Sequence, residues 1–354
     1  MSRAQRPAWL GSASTAIVSV GIAFGVAVLL LLLVDAPPLE ALRLLWDGSF
    51  GTVAKLSDTL MTWIPLVLAA AGLIVTFQAG LWNIGAEGQI VAGAIGATWI
   101  ARSLGGPSAV VITATIVAGA VAGALYALVP GYLRSRFEVH EIFSGVALNF
   151  LAGALAVYLI IGPWGRAGTA STSGTDPIRE GAWLPTLGAQ RISLVAIVAA
   201  VVAIVAVAVL MGGTRYGLRV KAVGRSTASA RLMGISPQRY TLSAFAIGGG
   251  LAGVAGSVQV TGFHHKLVPS ISGGYGFLAV LVVLLAGFRI VWIAPIALFF
   301  AAIQVGSTQL SLRLSIDSSL AGVITGVLVL SILLVGGWRS RRSLALAARR
   351  PVVE

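Results

Sequence analysis

The chain has 354 residues, 57% of them hydrophobic and only 10% charged, with no cysteine and a formal net charge of +13. That composition excludes a soluble globular domain, which carries about 25% charged residues, and the missing thiols exclude disulfides and thiolate metal sites. Several charge-free apolar runs exceed the ~18 residues that mark a membrane span. The chain is therefore expected to be an all-α polytopic membrane protein, with a single transmembrane domain over 1–354.

In chain order, apolar runs and their punctuation predict ten spans: 16–34, 59–77, 82–101, 109–133, 142–162, 193–211, 241–262, 276–288, 290–311 and 318–336. The first follows Arg3 and Arg6, is too long for a signal-peptide core and ends on the poor cleavage site Asp35-Ala36-Pro37-Pro38, so it is expected to be retained. Around Arg289 the pattern leaves open either a bent hairpin over 276–311, which keeps ten spans, or a single tilted element, which leaves nine. With both termini inside, 16 of the 24 basic residues and three of the eleven acids face the cytoplasm, in keeping with the positive-inside rule. The tails 1–15 and 337–354 and the loop 212–240 lie on that face. The excess charge meets anionic lipid and protein there, and no nucleic-acid partner is needed to explain it. Spans two to five and seven to ten are offset by five, an odd number, which implies an inverted 5+5 repeat with a substrate site near the midplane.

The segment Gly80-Leu81-Trp82-Asn83-Ile84-Gly85-Ala86-Glu87-Gly88-Gln89 places a carboxylate alone in 43 residues, between Asp58 and Arg102. An ionisable group at membrane depth costs a few kcal/mol and is kept for a pathway or a structural lock. In one reading Trp82, Asn83, Glu87 and Gln89 line a path, with Trp82 as a stacking surface. In the other Glu87 locks a broken helix, which is the reading favoured for Glu87, whereas Asn83 and Asn149 are expected to line the path. The glycines at 80, 85 and 88 suit a helix break or close backbone approach. Gly249, Gly253 and Gly256 give a second smooth face for tight helix packing. Between Thr214 and Pro237, Ser226 is placed as an N-cap, residues 228–233 make two turns and Gly234 stops them, with Pro237 closing the element. His264 and His265 point different ways on most backbones and have no acid or cysteine nearby, so no metal site is expected. No glycine is followed by lysine, so a Walker A loop is missing and this chain is not expected to be an enzyme. No cofactor is expected either.

Residues 80–89 resemble the "FNIGAEGQ" signature of permease subunits of ABC importers for nucleosides and simple sugars. Residues 214–237 are similar to the family's coupling loop, and Gly131–Phe150 to its segment bearing Glu141 and Asn149, with His140 and Phe143-Ser144-Gly145 departing from the usual pattern. Residues 243–256 resemble its "SGalAGlaG" motif, and Gly273-Gly274-Tyr275-Gly276-Phe277 its "GyGf" turn, read as a backbone turn at the external mouth. The resemblance covers about 55–335. It implies cytoplasmic ATP-binding subunits, a second permease subunit (identical or homologous), an extracytoplasmic binding protein, and ATPase contacts at Arg225, Ala230, Arg231 and Gly234. Simple sugars or branched-chain amino acids are alternative substrates. An ion-coupled secondary transporter with Glu87 as proton relay is the alternative mechanism.

Overall fold

The computed structural model describes residues 37–166, 172–188 and 190–314, together with positions 25, 323 and 326. Among them every regular element is helical. Apart from positions 25, 323 and 326, the predicted spans 16–34 and 318–336 lie outside the described residues. Two compact units divide the chain: residues 53–301 form one, and residues 1–52 with 302–354 the other.

In the second unit, α1 (Pro38–Phe50) is a helix where sequence reading expected a connection. Proline at its first position is pre-set for helix and loses no bonded N–H there. The Ser49 hydroxyl donates to Leu45 O (2.7 Å) and Ala302 O (2.6 Å), and Gly48 approaches Gly306 so closely that a Cβ would lie 3.0 Å from its Cα.

The larger unit is built around α2 (Val53–Gln78), which is apolar on all sides and buried along most of its length. Such a helix belongs inside a bundle rather than against lipid. It is followed by a non-helical stretch and then α3 (Ala86–Ser103), so the span expected at 82–101 starts four residues late. Next come α4 (Ser108–Phe137), α5 (Glu141–Ile161) and α6 (Leu194–Gly213). Beyond them lie α7 (Arg215–Arg225), α8 (Thr227–Leu232) and α9 (Pro237–Val258), the last continuing as a π-turn over Gln259–His264. Finally come α10 (Tyr275–Leu285) and α11 (Ile293–Leu314). The junction at Arg289 is a genuine turn, with Gly287 and Phe288 at positive φ, so α10 and α11 are separate helices.

Among the described residues six helices are long and apolar enough to cross a membrane: α2, α4, α5, α6, α9 with its π-turn, and α11 with the preceding turn. At 11 residues α10 is too short to cross alone. The centre of the unit is where α3, α4 and α9 meet, and small residues let their backbones touch. A Cβ on Gly123 would lie 2.7 Å from Gly253 Cα, and one on Gly93 would overlap Gly253. The glycine face expected at 249, 253 and 256 is this contact.

Residues 172–188 fold onto the far end of α9 rather than looping free. The N–H groups of Thr175, Ile178 and Leu184 donate to Leu267 O (2.9 Å), His265 O (2.8 Å) and Thr261 O (3.0 Å). Within this segment Glu180–Ala182 form a single helical turn, and Trp183 stacks on His265 at 4.1 Å between ring centres. Ile178 and Ala182 are buried among α3, α4 and α5.

Candidate functional site

The break between α2 and α3 is the centre of the candidate site. Gly80 adopts φ +74°, a left-handed conformation open to glycine without Cβ strain, and the chain then runs irregularly to Gly85. Irregular backbone inside a bundle leaves N–H and C=O groups to be paired. Two side chains of one later helix, α5, pair groups of the break and of the start of α3, and Glu87 of α3 reaches the start of α10.

Glu141, at the start of α5 and 4% exposed, accepts the Trp82 N–H on Oε1 (3.2 Å), while its Oε2 pairs with Arg134 Nε at 3.2 Å. Asn149, two turns along α5, accepts the Gly88 N–H (2.8 Å) and donates to Ile84 O (3.0 Å). One amide thus ties the end of the break and the first turn of α3 to α5. Glu87 projects from the first turn of α3 and accepts the N–H groups of Gly274 (Oε1, 3.1 Å) and Gly276 (Oε2, 2.7 Å). Those glycines open α10, so the starts of α3 and α10 face each other across one carboxylate. Two helix N-termini each carry about half a positive charge and repel. A carboxylate between them neutralises that repulsion and satisfies two free donors. Glu87 thus bridges the starts of two helices.

Asn83 and Gln89 are buried and bonded to each other in both directions: Asn83 Nδ2 to Gln89 Oε1 at 3.0 Å, and Gln89 Nε2 to Asn83 Oδ1 at 2.8 Å. Their amides are occupied within the break. Trp82 is 42% exposed and leans on Phe77, 5.1 Å between centres, and Phe77 in turn meets Phe288. Trp82 is therefore the most exposed member of the expected pathway set. In the turn at 273–276 the N–H groups of Gly273 and Tyr275 donate to Ser270 O and Ser272 O, while those of Gly274 and Gly276 are committed to Glu87. Sequence reading missed that pairing: the donors are backbone groups 187 and 189 positions away, and any residue type but proline supplies an N–H.

The second region is α7–α8. Helix α7, unforeseen as a helix, is capped by Thr214, which accepts from Gly217 N–H (3.1 Å), and buries Gly217, Val220 and Val223. Spacing of three keeps those residues on one face and the basic residues on the other. Lys221 Nζ donates to Met211 O (2.6 Å), and the Tyr216 and Ser243 hydroxyls meet at 2.8 Å, which fixes α7 to α6 and α9. Ser226 caps α8 as expected, accepting from Ser229 N–H at 3.2 Å, and Gly234 ends the turn at φ +73°. Pro237 does not close this element but opens α9, where proline is suited to the first turn. Arg225, Arg231 and Gly234 are exposed, whereas Ala230 is buried beneath α8. Leu232 (91% exposed) and Met233 (74%) stand at the tip, two apolar side chains that sequence reading passed over. The signal was present as Leu-Met just before a glycine stop in a basic loop.

Residues 55–335 match the family described as the branched-chain amino acid transport system / permease component. The chain belongs to this family of membrane permease components. It is 31% identical to the glucose ABC transporter permease protein TsgB13 of Haloferax volcanii, over 92% of this chain and 87% of that one. It is 25% identical to the guanosine ABC transporter permease protein NupP of Bacillus subtilis, over 81% and 83%. To the nucleoside ABC transporter permease protein NupB of Lactococcus lactis it is 26% identical, over 88% of each chain.

Proposed function

We propose that this chain is the membrane-spanning subunit of an ATP-driven importer of nucleosides. The carrying observation is similarity, over more than four fifths of each chain, to permeases named for guanosine and nucleoside, together with a capped helix that presents Leu232 and Met233 outward. A short helix with an apolar tip and flanking arginines suits a partner's groove. Cytoplasmic ATP-binding subunits would dock there, with Arg225, Arg231 and Gly234 around the tip and Ala230 as its buried support. A second permease subunit and an extracytoplasmic binding protein complete the machine, and both termini of this chain lie in the cytoplasm of a multi-pass membrane protein.

Ten spans arranged as an inverted 5+5 repeat fit the way α3 and α10 meet. They correspond to the third and eighth spans, offset by five, and both begin at glycine-rich breaks that converge on Glu87. Paired interrupted helices in corresponding positions of two halves are the usual mark of a midplane substrate region. Trp82 offers the exposed ring for a base, while Asn83, Glu87, Gln89 and Asn149 hold the wall in shape. The absence of a charged side chain left over from these pairings suits a neutral solute.

The test is uptake by proteoliposomes holding this chain with its ATPase and binding protein. ATP-dependent uptake of labelled guanosine or uridine, not displaced by glucose or leucine, is the expected result. The glucose permease relative supports a sugar as the second reading, and uptake of glucose alone would select it. Uptake by this chain alone, driven by a proton gradient, would overturn the ABC mechanism.

A further inference from the structure

We propose that the contact between Gly80 and Gly224 is the joint through which movement of α7–α8 reaches the α2–α3 break. The proposal rests on the ATPase-docking role given to α8 above. Gly224 is the next-to-last residue of α7, and Gly80 opens the break. A Cβ on Gly224 would overlap Gln78 O and lie 2.8 Å from Ala79 C and 2.9 Å from Gly80 N. A Cβ on Gly80 would lie 3.0 Å from Gly224 O and 3.1 Å from Gly224 Cα. Backbone therefore rests on backbone with no side chain between. Side chains at an interface absorb a small displacement by changing rotamer, whereas bare backbones pass it on.

What lies on either side of the contact fits a transmitting role. Upstream, α8 follows α7 with only Ser226 between them, so a push on the Leu232–Met233 tip acts directly on the end of α7. Downstream, the break carries the Trp82 N–H to Glu141 and the Ile84 carbonyl to Asn149, and it leads into Glu87 and the start of α10. Displacing Gly80 thus pulls on α5 and α10 together. Beside the joint is a cavity of about 830 Å³ lined by Gly80, Leu81, Arg134, Arg225 and Arg231. Movement into it displaces solvent rather than packed side chains, so the joint is stiff along the contact and free beside it.

The test uses the whole complex in proteoliposomes, with Gly224→Ala as the strong wedge and Gly80→Asn as the mild one. Asparagine is among the few side-chain-bearing residues that tolerate positive φ. Gly212→Ala, where a Cβ meets nothing within 4 Å, is the control. Three quantities are read: co-purified ATPase, ATP hydrolysis with and without loaded binding protein, and uptake. Both wedges are expected to leave ATPase binding and basal hydrolysis near normal, while uptake and the stimulation of hydrolysis fall about tenfold, the size of a typical coupling energy. Uptake that falls only in proportion to assembled complex, or does not fall, overturns the proposal. Should Gly224→Ala fail to assemble, Gly80→Asn decides alone. Wild-type chain that binds no ATPase would sink the importer reading itself, before any variant is made, and the joint with it.

Discussion

Glu87 illustrates how little of a side chain's work is visible in its surroundings along the chain. Its isolation in an apolar stretch identified it as important, and the neighbouring glycines identified a break. Its partners could not be read, because an N–H belongs to every residue but proline. The geometry predicts a stability phenotype. Glu87→Gln keeps one acceptor but turns an NH2 group toward a backbone donor, so it should destabilise by about 1.5–3 kcal/mol, the worth of a hydrogen bond to a charged group. Thermal unfolding of the detergent-solubilised chain measures this. A midpoint unchanged from wild type, with transport abolished, would instead make Glu87 a pathway residue. For Asn83 the same reasoning holds: an amide in a membrane segment seeks a partner, and one lies six positions along the chain, at Gln89.

At the scale of elements, strongly apolar helices were legible and amphipathic ones were not. Helix α1 was hidden by its charges, Glu40, Arg43 and Asp47, although Pro37-Pro38 before a leucine-rich run is a helix start. Helix α7 was hidden because Gly217 and Gly224 read as loop residues, when each allows a close backbone approach. Helix α8 was legible from its cap alone. It yields a prediction: Leu232→Asp should reduce ATPase co-purification at least about tenfold, as expected for an anchor residue at an interface, while leaving the fold intact because the side chain is 91% exposed. Undiminished co-purification would place the docking surface elsewhere.

The 172–188 segment is also an element-scale matter, and its anchor titrates. Burial lowers the pKa of His265 below its ordinary value, with the positive charge of Arg191 adding to the effect and a hydrogen bond to Thr261 backbone opposing it. The neutral ring is therefore the one the fold prefers. Its stabilising contribution is complete above the ordinary histidine pKa of 6.5 and is lost as pH falls toward the lowered value. Hydrogen exchange at the Ile178 and Leu184 amides, corrected for intrinsic rate, should speed up between pH 7.5 and about 5. His265→Asn, which keeps the left-handed backbone at φ 52° without a titrating ring, should remove the dependence. Exchange that is equally pH-dependent in the variant would assign the effect to another group.

On the scale of the whole molecule, membrane residence was the most legible property, because it is written in composition. The span count was less so: α10 is 11 residues long, and α3 begins only after the break. Topology is open to direct measurement, since the chain has no cysteine to give background. Cysteines introduced at Thr227 and at Gly181 should react with a membrane-impermeant maleimide from opposite sides of sealed vesicles, Thr227 from the cytoplasmic side. Labelling of both from one side would contradict the proposed orientation.

The touching glycines of α3, α4 and α9 set a limit on how such a machine works. Where backbones meet without side chains there is no slack for sliding, so these helices behave as a rigid girder through any cycle. Flexing is then confined to its ends. One end is the irregular stretch before α3, and the other is the π-turn at 259–264, where the helical ladder is already loosened. Distances between probes on α3 and α9 should stay constant in every nucleotide state, while any bending of α3 or α9 themselves should be found at those two flexures.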